Sequence, residues 1–159
     1  MDLQIKQIGA EKFDEYLELL KEMMIYIFET GEHPGMEDSM DETKKKSLLE
    51  AFEDNKYEIH IAYLDEKPIG FIALIEIFST FMGETTVKLD DIYLSEQYRG
   101  KGHGTTIMNY IKSLAKQRNY GRIDWTTQGA NTKAQKFYEK NGAVNCDYKS
   151  YRYTKDQYA

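Results

Sequence analysis

Arg99-Gly100-Lys101-Gly102-His103-Gly104 interleaves three glycines with three basic side chains. The stretch joins an apolar run ending at Leu94 to a segment with helical periodicity. Such a junction is suited to holding an anion. Glycine lets the backbone turn sharply and approach a ligand closely. The first amides of a helix have no internal partners and point at whatever sits there. Arg99 and Lys101 add positive charge, so the simplest ligand is a phosphate. Two common phosphate motifs are excluded. A P-loop needs glycine where Ser95 stands, and serine or threonine where Gly102 follows Lys101. A dinucleotide fingerprint needs its last glycine where Thr105 stands. Taken alone, the stretch also fits the ordinary start of a helix.

The elements that must position this loop can be read from periodicity. Residues 3–8 alternate apolar and polar, as a half-buried strand does. Residues 10–28 place Phe13, Leu17, Leu20, Met24 and Ile27 on one helical face. Residues 30–38, with Gly31, Pro34 and Gly35, read as a loop, and residues 39–53 as a second helix. Residues 57–64 and 69–78 read as a hairpin about the Asp65-Glu66-Lys67-Pro68 turn. A third strand, residues 85–94, changes apolar phase: Val87 and Leu89 fall on odd positions, Ile92 and Leu94 on even ones. A bulge near Asp90-Asp91 would bring all four to one face. A strand buried on both faces would give the same pattern. A helix then runs from the glycine loop to Arg118 with a stripe of Ile107, Met108, Ile111, Leu114 and Ala115. Residues 122–127 form a short strand, Asn131 caps a helix over 132–140, and residues 143–153 supply one or two closing strands. The order is that of a mixed sheet with helices on its faces.

Composition bounds the function. The chain has 159 residues, the size of one domain with a single sizeable core. No apolar run approaches the roughly 20 residues that span a bilayer, and the N-terminus lacks a signal-peptide pattern. A lone Cys146 excludes an internal disulfide and a cysteine-rich metal site, so no metal is expected. These features point to the cytoplasm. The net charge of −6 argues against a nucleic-acid partner and suits a cationic small substrate, although it also serves solubility.

The loop does not stand alone. Arg99, Gly102 and Gly104 sit in Gln97-Tyr98-Arg99-Gly100-Lys101-Gly102-His103-Gly104, which resembles the acyl-CoA pyrophosphate loop of the GNAT N-acetyltransferase superfamily. Downstream, Asn131-Thr132-Lys133-Ala134-Gln135-Lys136-Phe137-Tyr138-Glu139-Lys140-Asn141-Gly142-Ala143 resembles that family's second signature. The resemblance covers nearly the whole chain as one domain, residues 1–159. It implies an α/β fold (α+β in some schemes): a mixed, mostly antiparallel sheet with helices on both faces and a bulged central strand. It also implies acetyl-CoA as cosubstrate. Backbone groups of Ile92, Tyr93 and Leu94 would pair with the pantetheine arm like an added strand. Arg99, Gly100, Lys101, Gly102, His103, Gly104 and Thr105 would hold the pyrophosphate, with His103 offering its amide. The Asn131 side chain would touch the CoA arm, in competition with its role as helix cap.

Acetyl transfer to an amine needs a base, because an alkyl amine with a pKa of about 10.4 is mostly cationic at neutral pH. It also needs an acid for the leaving thiolate. Tyr138 resembles the family's acid, and a phenol of pKa about 10 arrives protonated. Leu89-Asp90-Asp91-Ile92-Tyr93-Leu94 resembles a segment of the diamine acetyltransferases. In those enzymes the residue at Asp90 is the candidate base, and the one at Asp91 helps bind the cationic substrate. Here Asp stands where they carry Glu. Trp125, and Tyr151-Arg152 near the C-terminus, strengthen the likeness and make Tyr151 a candidate substrate contact. Glu76, or a water chain, is a rival base. His33 lies in the loop that covers the acceptor site in this family, and it also fits a solvated loop histidine. His60 reads as a strand-face residue and Cys146 as inert.

The expected activity is therefore direct acetyl transfer to a small amine. A protein lysine or N-terminal acetyltransferase is the alternative, and a non-catalytic acyl-CoA sensor is a third reading of another class. The family often forms dimers through C-terminal strands, so a homodimer is also expected.

Overall fold

The computed structural model describes residues 2–30 and 40–159. β1 (Leu3–Gln7) leads through a 3-10 turn into α1 (Phe13–Thr30). There follow α2 (Glu42–Glu53), β2 (Glu58–Leu64), β3 (Lys67–Ser79) and β4 (Glu84–Leu94). After a 3-10 turn at Glu96–Tyr98 come α3 (His103–Gln117), β5 (Ile123–Asp124) and α4 (Thr132–Lys140). The strands lie in the order β1-β2-β3-β4-β5. The first four are antiparallel neighbours, and β5 runs parallel to β4. Among the described residues, no helix is long and apolar enough to cross a membrane.

The sheet separates two cores. On one face α1 brings Phe13, Tyr16, Leu20 and Met24 onto Ile59, Ile61, Phe71 and Tyr93, with Leu48, Leu49 and Phe52 of α2 packed alongside. On the other, Ile107, Met108 and Ile111 of α3 cover Ile69, Ile72, Leu74, Val87 and Leu89, with Phe137 and Tyr138 of α4 alongside. Each helix sits where its apolar stripe removes surface from water. Gly70 permits the close approach of β3 and β4, since a Cβ there would lie 2.4 Å from the Tyr93 carbonyl oxygen.

The phase change in β4 is a bulge. Ala73 pairs with Asp91 and Leu74 with Leu89, which leaves Asp90 without a partner in β3. Val87, Leu89, Ile92 and Leu94 therefore all face α3, while Asp91 and Tyr93 share the α1 face with Ala73 and Phe71. A strand buried on both faces in unbroken register is excluded.

Several expectations need correction. Residues 143–153 contain no strand, and Val144, Tyr148, Tyr151 and Tyr153 are exposed. The strand read over 122–127 is only Ile123–Asp124, because β5 pairs with β4 solely at Val87 and Lys88 before the two part. α2 begins at Glu42 behind an Asp41 cap, whose side chain accepts from the Lys44 amide. The loop read over 30–38 and its His33 fall outside the described residues beyond Thr30.

Candidate active site

The glycine loop turns through the left-handed region twice, at Gly100 (φ 73°) and Gly102 (φ 87°). Nothing lies within 4 Å of where a Cβ would stand at either position. Gly102 caps α3, and the first helical bond runs from the Thr106 amide to the Gly102 carbonyl at 3.1 Å. The amides of His103, Gly104 and Thr105 thus belong to the unpaired first turn. Gly104 has a different role. A Cβ there would come 3.0 Å from the Phe137 ring, so this glycine lets α3 pack on α4.

Arg99 does not extend over the loop. Its Nε donates to the Leu94 carbonyl at 2.8 Å, and its guanidinium lies 4.1 Å from the Tyr26 ring centre. The side chain ties the end of β4 to α1 through a cation–π contact.

Beyond Lys88, β4 has no β5 partner, so its outer edge from Leu89 to Leu94 is open beside the loop. An unpaired edge is a template for an added strand. The extended amide-bearing arm of CoA has the matching chemistry, so edge and loop together fit that group.

A cleft of about 400 Å³ opens where the strands part. Asp90, Asp91 and Ile92 form one wall, and Trp125 and Tyr138 another. Met23 and Ile27 of α1 and the tail residues Ser150 and Arg152 complete it. The two carboxylates differ. Asp90, in the bulge, is half-exposed and ion-paired to Lys88 at 2.5 Å. Asp91 is turned toward α1, and burial pushes its carboxyl up to about 6. The neighbouring Asp90 charge adds to that rise, while Lys88 and Lys44 oppose it. A carboxyl poised near neutral pH is suited to exchanging protons. Tyr138 is held by edge-on contacts to Trp125 (5.3 Å between ring centres) and Phe137 (5.5 Å).

The remaining candidates divide. Asn131 lines the cleft, but its Oδ1 accepts from the Ala134 amide at 3.1 Å, so the cap role uses that oxygen. Glu76 does not line the cleft. It bonds to the Tyr120 hydroxyl and lies 3.8 Å from Arg118, in a network that continues to Glu58 and the buried His60. That network braces β2 and β3 against the end of α3, and it engages the Glu76 carboxylate with Tyr120 and Arg118. Tyr151 is 88% exposed, while Ser150 and Arg152 on either side of it face the cleft. Sequence reasoning missed Met23, Ile27 and Ser150. The first two are the same residue types that build the core stripe of α1, and nothing in their spacing separates a cleft wall from a core. Cys146 is exposed and does not line the cleft.

Comparison with known proteins agrees with this geometry. The sequence profile of the Acetyltransferase (GNAT) family matches residues 14–143. The chain is 26% identical over 125 residues to a thialysine N-epsilon-acetyltransferase of Caenorhabditis elegans, a match spanning 79% of this chain and 77% of that protein. It is 30% identical over 74 residues to an L-ornithine N5-acetyltransferase of Arabidopsis thaliana, spanning 46% of this chain and 32% of the relative. Among solved structures, an aminoglycoside acetyltransferase from an uncultured soil metagenomic sample, in complex with sisomicin, shares the fold. Its TM-score is 0.80, with 96% of this chain and 95% of that one covered at 12% identity. With its glycine loop at a helix start beside a bulged strand whose outer edge is open, the chain belongs to the GNAT family as an N-acetyltransferase.

Proposed function

We propose that the protein moves the acetyl group of acetyl-CoA directly to a primary amine of a small cationic substrate. The observation that carries this reading is the pairing, in one cleft, of a half-buried carboxylate of raised pKa with a tyrosine, both beside the open β4 edge. The open edge at Ile92, Tyr93 and Leu94 and the loop from Gly100 to Thr105 would hold the CoA arm and pyrophosphate. Asp91 takes a proton from the bound ammonium, and the free amine attacks the thioester carbonyl. Tyr138 gives its proton to the sulfur as the carbon–sulfur bond breaks, and the proton shed by the new amide nitrogen restores the phenol. Asp90, at the rim and paired with Lys88, attracts the second positive charge of a diamine-like acceptor. The assignment of base is thus moved from Asp90 to Asp91, because Lys88 already engages the Asp90 carboxylate whereas burial raises Asp91 toward neutral pH. The acceptors named for the relatives, thialysine and ornithine, are small cationic amines and support this substrate class.

Purified protein given acetyl-CoA and a panel of diamines, basic amino acids and lysine-bearing peptides tests the proposal through thiol release. Release with small amines is expected. Release with peptides alone would favour a protein acetyltransferase. Thermal stabilisation by acetyl-CoA with no release on any amine would overturn the proposed reaction.

We also propose a homodimer formed through the tail. Val144, Tyr148, Tyr151 and Tyr153 are exposed in a segment without strand pairing, and β5 pairs with β4 alone. Light scattering should give twice the chain mass; a monomeric mass would overturn it.

A further inference from the structure

The cations around the glycine loop are not equivalent. Arg99 is already committed to the Leu94 carbonyl and to the rings of Tyr26 and Tyr93. Lys101 and Lys67 remain. Lys101 stands at the centre of the loop. Lys67 opens β3 directly after a tight turn in which Asp65 and Glu66 adopt φ of 50° and 66°. Although far apart in the chain, both ammonium groups lie over one ring. Lys67 Nζ is 5.7 Å and Lys101 Nζ 5.9 Å from the centre of Tyr98. Tyr98 is half-buried against the α3-side core, so its ring is a fixed platform. Among the described residues, neither lysine is ion-paired or hydrogen-bonded through its side chain, whereas Lys88 and Arg118 each have a carboxylate. Both ammonium groups are exposed beside the same ring, so each is open to an incoming anion.

We propose that Lys67 and Lys101, across Tyr98, form a subsite for a phosphate monoester, the 3′-phosphate on the ribose of CoA. This rests on the acetyl-CoA reading above. The loop amides suit the pyrophosphate, which must lie close to the backbone. The 3′-phosphate is a separate group at the end of the nucleotide. At neutral pH it carries close to two charges (about −1.5 to −2 for a phosphate monoester). An ammonium on a flexible stem, with three rotatable donors, can reach such a group as a point charge. Lys67 lies outside both sequence signatures and comes into the site only through the β2–β3 turn.

Titration calorimetry with CoA and 3′-dephospho-CoA tests the subsite without any acceptor amine. The wild-type protein should bind CoA about tenfold more tightly than the dephospho form at low salt. The preference should shrink as ionic strength rises. Lys67→Ala and Lys101→Ala should each lower it, Lys67→Glu should abolish it, and Lys67→Arg should keep most of it. Equal wild-type affinity for the two ligands would overturn the subsite and leave the acetyl-CoA reading standing. A preference that survives in the Lys67→Ala/Lys101→Ala double variant would also overturn it. Binding of neither ligand would overturn both.

Discussion

Tyr138→Phe should lower kcat by about a hundred- to ten-thousandfold, the range for loss of a general acid. Affinity for acetyl-CoA should hardly change. The phenylalanine ring keeps the edge-on contacts to Trp125 and Phe137, so the walls of the cleft stay in place. Only the hydroxyl is lost. A phenol of ordinary pKa, about 10, can protonate a thiolate whose thiol titrates near 8.5. Steady-state thiol release measures the first quantity and calorimetry with acetyl-CoA the second. An unchanged kcat would remove Tyr138 from the chemistry.

Asp91→Asn should have two effects of opposite benefit. As the proposed base, its loss should lower kcat/KM by about a hundredfold or more. In the wild-type enzyme, kcat/KM should fall on the acid side as pH drops through about 6, where the Asp91 carboxyl takes up its proton. The variant should lack that limb. Stability should move the other way. The folded-state pKa stands above the ordinary value of 3.8, so between the two values the native protein holds a proton that the unfolded chain releases. The stability contributed by the protonated carboxyl is complete below the lower value and is lost as pH rises through the higher one. At pH 7 the native state therefore carries a buried charge at a cost, and Asn removes it. The gain should be on the order of 2 kcal/mol at pH 7 and vanish near pH 4. Thermal unfolding at the two pH values checks this. An Asp91→Asn enzyme with full activity would return the role of base to Asp90 or to water.

The local devices of the fold are legible in the chain because they depend on residues near one another. Asn131 and Asn141-Gly142 delimit α4 at Thr132–Lys140, as their capping chemistry dictates. The misplaced phase of Val87 and Leu89 against Ile92 and Leu94 announces the bulge. What the sequence hid depends on partners far away. The stretch over 143–153 reads as one or two closing strands, yet strand formation needs a neighbour, and the short β5 parts from β4 after Lys88. Glu76 ends an apolar run, and only the fold shows that Arg118 and Tyr120 claim it. Arg99 carries the same signature whether it faces a phosphate or turns back onto Tyr26. The division of labour between Asp90 and Asp91 depends on which of two adjacent residues is left over in the pairing, and the order of letters does not state that.

That leftover residue has a consequence for how the gene can change. Side chains in a strand alternate, and the extra residue at Asp90 is what lets Leu89 and Ile92 share a face although three positions separate them. Deleting Asp90 would iron the bulge out. Leu89 and Asp91 would then follow Leu74 and Ala73 in step, so Ile92 and Leu94 would still face α3 and Asp91 and Tyr93 would still face α1. The fold therefore tolerates the loss of one codon at the aspartate pair, whereas the rim carboxylate does not survive it. Relatives that lack the bulge should be one residue shorter between Leu89 and Ile92 and should have lost the preference for a second positive charge on the acceptor.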